Sequence, residues 1–185
     1  SGDPIPADFF APSAEPFTGT ICCDGDPLGP PFGTADTVIE RFGPANLPAI
    51  PSTDTVPIEL VQLSLVSCSP ITVTSITDPP SFWDITVTLS IINPPPGQMT
   101  VTKTHPNGGV FTSQFNVLPR FTFTDVGNPI NQRVLDWGVE GRPPIVFQPA
   151  APTPWVHTPC DTDFVIFFPT NFCPGVLTFD DRVPT

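Results

Sequence analysis

Histidine is the side chain most often used for proton transfer near neutral pH, and this chain of 185 residues contains only two. His105 precedes Pro106 at a predicted turn, and His157 lies close to Cys160 and Asp161. A Cys-His or Ser-His-Asp arrangement can be drawn through His157, but no nucleophile elbow or other local signature accompanies it. The histidines therefore give little support to nucleophilic catalysis.

Paired carboxylates are the alternative catalytic groups, as in glycoside hydrolysis. Glutamate occurs at only four positions, and Glu59 lies in a predicted strand next to core-facing residues. Asp84 belongs to the polar face of another predicted strand. Single carboxylates on strand faces are usually solvated, so we expect no enzymatic activity.

Two short aspartate motifs have a spacing that can direct two carboxylates toward one calcium ion. They are Asp24-Gly-Asp26 and Asp161-Thr-Asp163. Neither completes an EF-hand pattern, and loop aspartates of this kind are more typical of capping turns. We therefore expect neither a metal nor a cofactor.

The three tryptophans offer a different chemistry, the stacking of an aromatic ring on a sugar. Trp83 and Trp137 fall on predicted core faces because they alternate with polar residues or share a face with other apolar ones. Trp155 lies in a Pro-rich segment and is the candidate for exposure. It is the predicted ligand-binding residue under an alternative hypothesis, an extracellular carbohydrate-binding module.

The five cysteines are Cys22, Cys23, Cys68, Cys160 and Cys173. None forms a C-x-x-C pair, so their spacing does not indicate zinc. A bridge between Cys160 and Cys173 would close a short loop, and Cys68 is expected to pair with Cys22 or Cys23. Connectivity does not follow from sequence. One cysteine is left over, either buried and free or bridged to another chain.

Composition narrows the partners and the compartment. Six Lys+Arg stand against 18 Asp+Glu, and the resulting net charge of −12 disfavours nucleic acid and anionic membranes. No apolar run is long enough to span a bilayer as a helix. A first residue Ser1 suggests a processed chain, and five cysteines suit an oxidising compartment, so we expect a secreted or cell-surface protein.

The elements that would position these residues are short strands. The 29 prolines exclude long helices, while 16 phenylalanines and many aliphatic residues distinguish the chain from a disordered Pro-rich tract. The longest β-type run covers residues 54–77, and its core-facing parity changes between Leu60 and Val61. A β-bulge would cause this change, and so would a strand that leaves one sheet and joins another.

Further strands are predicted where apolar and polar residues alternate between turn signals. The clearest is 82–92, and a hairpin is predicted from 99–105 and 110–118 around the Asn107-Gly108 turn. Other candidate strands are 34–42, 120–125, 133–139, 145–147, 164–168 and 176–179. Many short strands without a helical period predict an all-β, antiparallel β-sandwich, Greek-key or jelly-roll-like, with a Greek-key barrel as the alternative.

The first 33 residues contain seven prolines and no alternation. We expect an N-terminal arm at 1–33 and a sandwich domain at 34–185. Phe9, Phe10 and Phe17 are the arm's large apolar residues. They either close the arm on its own domain or, in the sharper hypothesis, contact a neighbouring subunit.

Three runs resemble segments of uncharacterised secreted bacterial β-rich proteins, namely residues 36–41, 54–66 and 118–124. The resemblance implies export and carries no activity, ligand or site residue. With the composition, it favours a secreted, non-enzymatic structural protein of a surface or extracellular matrix. The Pro-rich arms at 1–33 and 141–159 and the odd cysteine extend the hypothesis to a self-assembling filament subunit whose partner is a second copy of the chain.

Overall fold

The computed structural model describes residues 4–156 and 173–174, and within these residues the chain forms strands and no helix. It follows that this part of the chain has no helix that could cross a membrane. The strands are β1 Cys23–Gly25, β2 Thr37–Arg41, β3 Ser52–Leu63, β4 Leu65–Ser67, β5 Ile71–Val73, β6 Ser81–Leu89, β7 Gly97–His105, β8 Gly108–Val117, β9 Pro119–Asp125, β10 Asn128–Asp136, β11 Ile145–Phe147, β12 Thr153–Val156 and β13 Cys173–Pro174.

The strands form two antiparallel sheets, which confirms the predicted all-β, antiparallel β-sandwich class. The first sheet has the order β1-β4-β6-β9-β10, and β5 also pairs with β6. The second has the order β13-β12-β8-β7-β3-β2, and β11 also pairs with β8. The predicted hairpin around Asn107-Gly108 is present as β7 and β8.

The chain divides into two compact units. The first contains the described residues up to Val38 together with Leu60–Pro94 and Leu118–Pro144. The second contains Ile39–Glu59, Pro95–Val117 and the described residues from Ile145 onward. Residues 4–33, predicted as an arm, are part of the first unit.

The first unit buries one face of its sheet beneath its own N-terminal residues. Trp83, Ile85 and Val87 alternate with polar residues along β6 and are almost completely buried, as the alternation predicts. Phe123 on β9 joins them, and Phe10 from the N-terminal segment closes the cluster from above. The N-terminal segment therefore supplies the second layer of this core.

The second unit has a smaller core on the inner face of β3, β7 and β8. Its buried side chains are Val56, Ile58, Met99, Val101, Phe111 and Trp155. Ala45 and Leu47, from the loop before β3, pack against this cluster. The opposite face is lined by threonines, and hydroxyl contacts join Thr53 to Thr102 at 3.0 Å and Thr55 to Thr100 at 2.9 Å.

The parity change in the longest predicted strand has two structural causes. The N–H of Phe42 donates to the carbonyl of Pro57, and the N–H of Ser64 donates to the carbonyl of Asp36. From Pro57 to Ser64 the chain advances seven residues, whereas its neighbour advances only six, from Asp36 to Phe42. The β3 side therefore carries one extra residue, as a β-bulge does. Beyond Ser64 the chain enters β4, which belongs to the first sheet.

A predicted strand needs correction. The strand predicted at 133–139 ends at Asp136, so Trp137 and Val139 lie in the following turn, where Trp137 still packs against the core of the first unit and Val139 does not. Val139 is exposed and Trp137 is only half-buried, with the Arg142 guanidinium 5.4 Å from its ring centre. The candidate strands at 164–168 and 176–179 lie outside the described residues.

Candidate functional site

The candidate catalytic side chains lie separately on strands and strand ends. His105 is exposed at the end of β7, Glu59 is half-buried on β3, and Asp84 is exposed on β6 opposite Thr124. In residues 4–156 and 173–174, no three His, Cys, Asp or Glu side chains approach closely enough to hold a metal ion. His157, Cys160, Asp161 and Asp163 lie outside the described residues.

Among the described residues, the most buried carboxylate belongs to Asp136, which the sequence did not single out. Its Oδ1 accepts hydrogen bonds from the Ser90 hydroxyl at 2.5 Å and from the N–H groups of Gly138 at 3.1 Å and Val139 at 3.2 Å. Burial acts to raise the pKa of Asp136, but these hydrogen bonds and one from the Ile91 N–H outweigh it and hold that pKa below its ordinary value.

This arrangement makes Asp136 a structural anchor. Its carboxylate joins the end of β6 to the turn after β10, and the Arg120 Nε lies 3.7 Å from Oδ2. A carboxylate with a low pKa and satisfied oxygens is a poor general acid or base near neutral pH. An open depression of about 390 Å³ lies beside it, and its rim includes the exposed Ile91 and Val139.

The aspartate pair at 24 and 26 forms part of the strand junction. The N–H of Asp26 donates to the carbonyl of Ser64 at 2.9 Å, and its carboxylate accepts a hydrogen bond from the Ser64 hydroxyl at 3.1 Å. Asp24 is exposed on β1. The two carboxylates therefore lie in different environments. Asp26 holds Ser64, the residue between β3 and β4, by hydrogen bonds, whereas Asp24 is exposed to solvent.

Trp155 is not an exposed sugar platform, so this prediction was wrong. It lies on β12, pairs with Gly109 of β8, and is only 4 % exposed. The Pro-rich surroundings indicated a loop, but Thr153–Val156 adds to the edge of the hairpin and directs the indole into the core of the second unit. A ring in that position cannot stack on a glycan.

The structure establishes the pairing of some of the five cysteines. Cys22 and Cys68 form a disulfide, which confirms one of the two pairings expected for Cys68. Cys23 is free and half-buried against the core of the first unit, and burial, with the neighbouring Asp24 carboxylate, raises the pKa of its thiol. The predicted Cys160–Cys173 bridge lies outside the described residues, since only the backbone of Cys173 is described.

Large apolar side chains are exposed along three strands that lie at sheet edges. They are Ile39 on β2, Val146 and Phe147 on β11, and Ile130 and Val134 on β10. Ile130, at 92 % exposure, stands in a register shift between Asn128 and Gln132. Periodicity could not reveal these residues, because strand order decides which strand is an edge.

The three phenylalanines predicted as subunit contacts lie against their own sheet. Phe10 is completely buried, with ring centres 5.1 Å from Trp83 and 5.2 Å from Phe123. Phe9 and Phe17 are half-buried and pack on the same core. Within one chain, the structure therefore matches the first of the two alternatives, in which Phe10 closes the N-terminal segment on its own domain.

Comparison of the chain with protein-family models, with curated proteins and with solved structures finds no match in any of the three.

Proposed function

We propose that this chain is a secreted, non-enzymatic structural protein that self-associates, as a component of a surface layer or extracellular matrix. The observation that carries the proposal is the exposure of large apolar side chains on β2, β10 and β11, all of which lie at sheet edges. Edge strands offer unpaired N–H and C=O groups to another chain, and proteins blunt such edges to different degrees with short strands, bulges, proline or charge.

The partner we commit to is a second copy of this chain. The stretch from Asn128 to Leu135 contains no acidic residue and one arginine, Arg133, within a chain of net charge −12. Two copies repel each other over most of their surfaces. The neutral or slightly basic β10 edge, with Ile130 and Val134, therefore repels a second copy less than the acidic surface does and offers apolar area for contact.

The edges also limit the strength of association. The β2 strand has five residues and β11 has three, while the register shift in β10 interrupts its edge between Asn128 and Gln132. Short strands and bulges weaken strand addition. Association through one edge is therefore weak, and an ordered filament requires several edges to act together at high local concentration.

Secretion is supported by the Cys22–Cys68 disulfide, because structural disulfides persist mainly in oxidising compartments. A carbohydrate-binding role has no support from Trp155, since its indole is buried.

Sedimentation velocity over a wide concentration range tests self-association. The edge variant carries Ile39→Lys, Val134→Lys and Val146→Lys. The matched control carries Thr86→Lys, Thr88→Lys and Gln98→Lys, which add the same charge at exposed positions on strands inside the sheets. We expect the wild type and the control to associate and the edge variant to remain monomeric. A wild-type chain that is monomeric at every concentration contradicts the proposal.

A further inference from the structure

The N-terminal loop, residues 5–17, is held together by its own hydrogen bonds. Ile5 and Phe17 each donate an N–H to the carbonyl of the other, both at 3.0 Å. The N–H of Asp8 donates to the carbonyl of Ala14, and the Asp8 carboxylate accepts from the N–H of Ser13 at 2.7 Å. The two ends therefore lie side by side, as in an Ω-loop, and the loop can keep its shape as a unit.

The loop is docked on the sheet by few main-chain bonds. The N–H of Glu15 donates to the carbonyl of Thr74 at 2.9 Å, and the N–H of Ile76 donates to the carbonyl of Ser13 at 3.0 Å. The Arg133 Nε donates to the carbonyl of Phe9 at 3.1 Å. Most of the remaining attachment comes from side chains, above all the buried ring of Phe10.

A short exposed linker separates the loop from a covalent anchor. Thr18, Gly19 and Thr20 are exposed, and Cys22 follows with its disulfide to Cys68. An open depression of about 220 Å³ lies between this linker and residues 72–74. The linker can therefore change direction without disturbing a packed core, while the disulfide keeps the chain beyond it attached to the sheet.

We propose that the N-terminal loop exchanges between copies, so that Phe10 of one copy fills the site formed by Trp83 and Phe123 of the next. The inference rests on the proposed function, because the sheet edges bring together the copies whose loops then exchange. Every contact of the loop with the sheet is the same in the exchanged form, so only the linker conformation changes. Concentration then decides between closure within one chain and exchange with a neighbour.

A cysteine pair reports which chain a loop occupies. Ala14 and Ser75 form an antiparallel bridge, and the flanking bonds at Glu15 and Ile76 mark it as a non-hydrogen-bonded pair. Cα atoms of such pairs lie about 4.5 Å apart, within the range of a disulfide. The test protein carries Ala14→Cys and Ser75→Cys in a Cys23→Ser background, which removes the free thiol.

The protein is oxidised over a wide concentration range and separated on a non-reducing gel. We expect monomers with an internal bridge at low concentration and a ladder of linked copies whose share rises severalfold toward millimolar concentration, where a neighbour competes with a short tether. The two single-cysteine variants and the Cys23→Ser parent are the controls for links through other cysteines.

A shortened linker makes the test independent of concentration. Deletion of Thr18, Gly19 and Thr20 removes about 10 Å of reach, so the loop should no longer close on its own sheet and linked copies should dominate even at micromolar concentration. The length-preserving control carries Thr18→Ser and Thr20→Ser and keeps Gly19, because a side chain there would strike the Phe17 ring.

The outcomes separate the two proposals. Internal bridges alone, at all concentrations and with the shortened linker, overturn loop exchange, and a wild-type chain that still associates by sedimentation then leaves the proposed function standing. A linked ladder from the shortened variant supports exchange. If the wild type does not associate at any concentration, the proposed function fails, and the shortened variant alone then decides whether the loop can exchange.

Discussion

Replacing Phe10 with alanine tests whether the N-terminal loop is part of the core. The side chain is completely buried, and its ring makes edge or tilted contacts with Phe9, Trp83 and Phe123 at centroid distances of 5.0, 5.1 and 5.2 Å. Removal of a fully buried phenylalanine costs about 3–5 kcal/mol, part of which comes from the cavity left behind. Because the free energy of unfolding of a domain is only about 5–15 kcal/mol, this loss is a large fraction of the total stability.

Urea unfolding at pH 7, followed by tryptophan fluorescence, measures the effect. We expect Phe10→Ala to lower the free energy of unfolding by about 4 kcal/mol, within the range for buried phenylalanines. Phe17→Ala, at a half-buried ring on the same loop, should cost less, and Phe82→Ala, at an exposed ring of β6, should cost less than about 1 kcal/mol. A loss for Phe10→Ala no larger than that for Phe82→Ala refutes the packing described for the loop.

Three further predictions concern groups that stabilise one or the other of the two units. Cys68→Ser opens a disulfide between residues 46 positions apart, and chain entropy predicts a loss of about 4 kcal/mol, measured by urea unfolding against the oxidised wild type. Asp136→Asn should cost about 1.5–3 kcal/mol at pH 7, the worth of a hydrogen bond to a charged group. The pKa of Asp136 is lower in the folded than in the unfolded chain. The stability difference between wild type and Asp136→Asn should therefore be constant above the unfolded pKa of about 3.9 and disappear as the pH falls through the folded pKa. A stability difference that grows in acid contradicts this expectation. Trp155→Ala should lower stability by about 3–5 kcal/mol because the indole is buried, and an unchanged melting temperature is incompatible with that position.

Alternation along the chain predicted the fold class and much of the first core. Trp83, Ile85 and Val87 are buried as their spacing requires. Val61 is exposed rather than core-facing, but the predicted parity change lies only three residues before Ser64, where the chain passes between sheets. These predictions succeeded because a strand's period depends only on local geometry.

The candidate site could not be predicted in the same way. Trp155 and Phe10 both lie in Pro-rich stretches without alternation, and each is buried by residues distant in the sequence. The anchor at Asp136 needs Ser90, 46 positions away, and no local pattern announces that pair. The exposed apolar edges became visible only when strand order was known.

Self-association is tested most directly by sedimentation velocity on the wild type, the edge variant with lysine at 39, 134 and 146, and the control with lysine at 86, 88 and 98. We expect the sedimentation coefficient of the wild type and the control to rise with concentration and that of the edge variant to stay at the monomer value. Association that survives the edge substitutions shows that the edges are not the contact. A wild type that never associates contradicts the structural function itself.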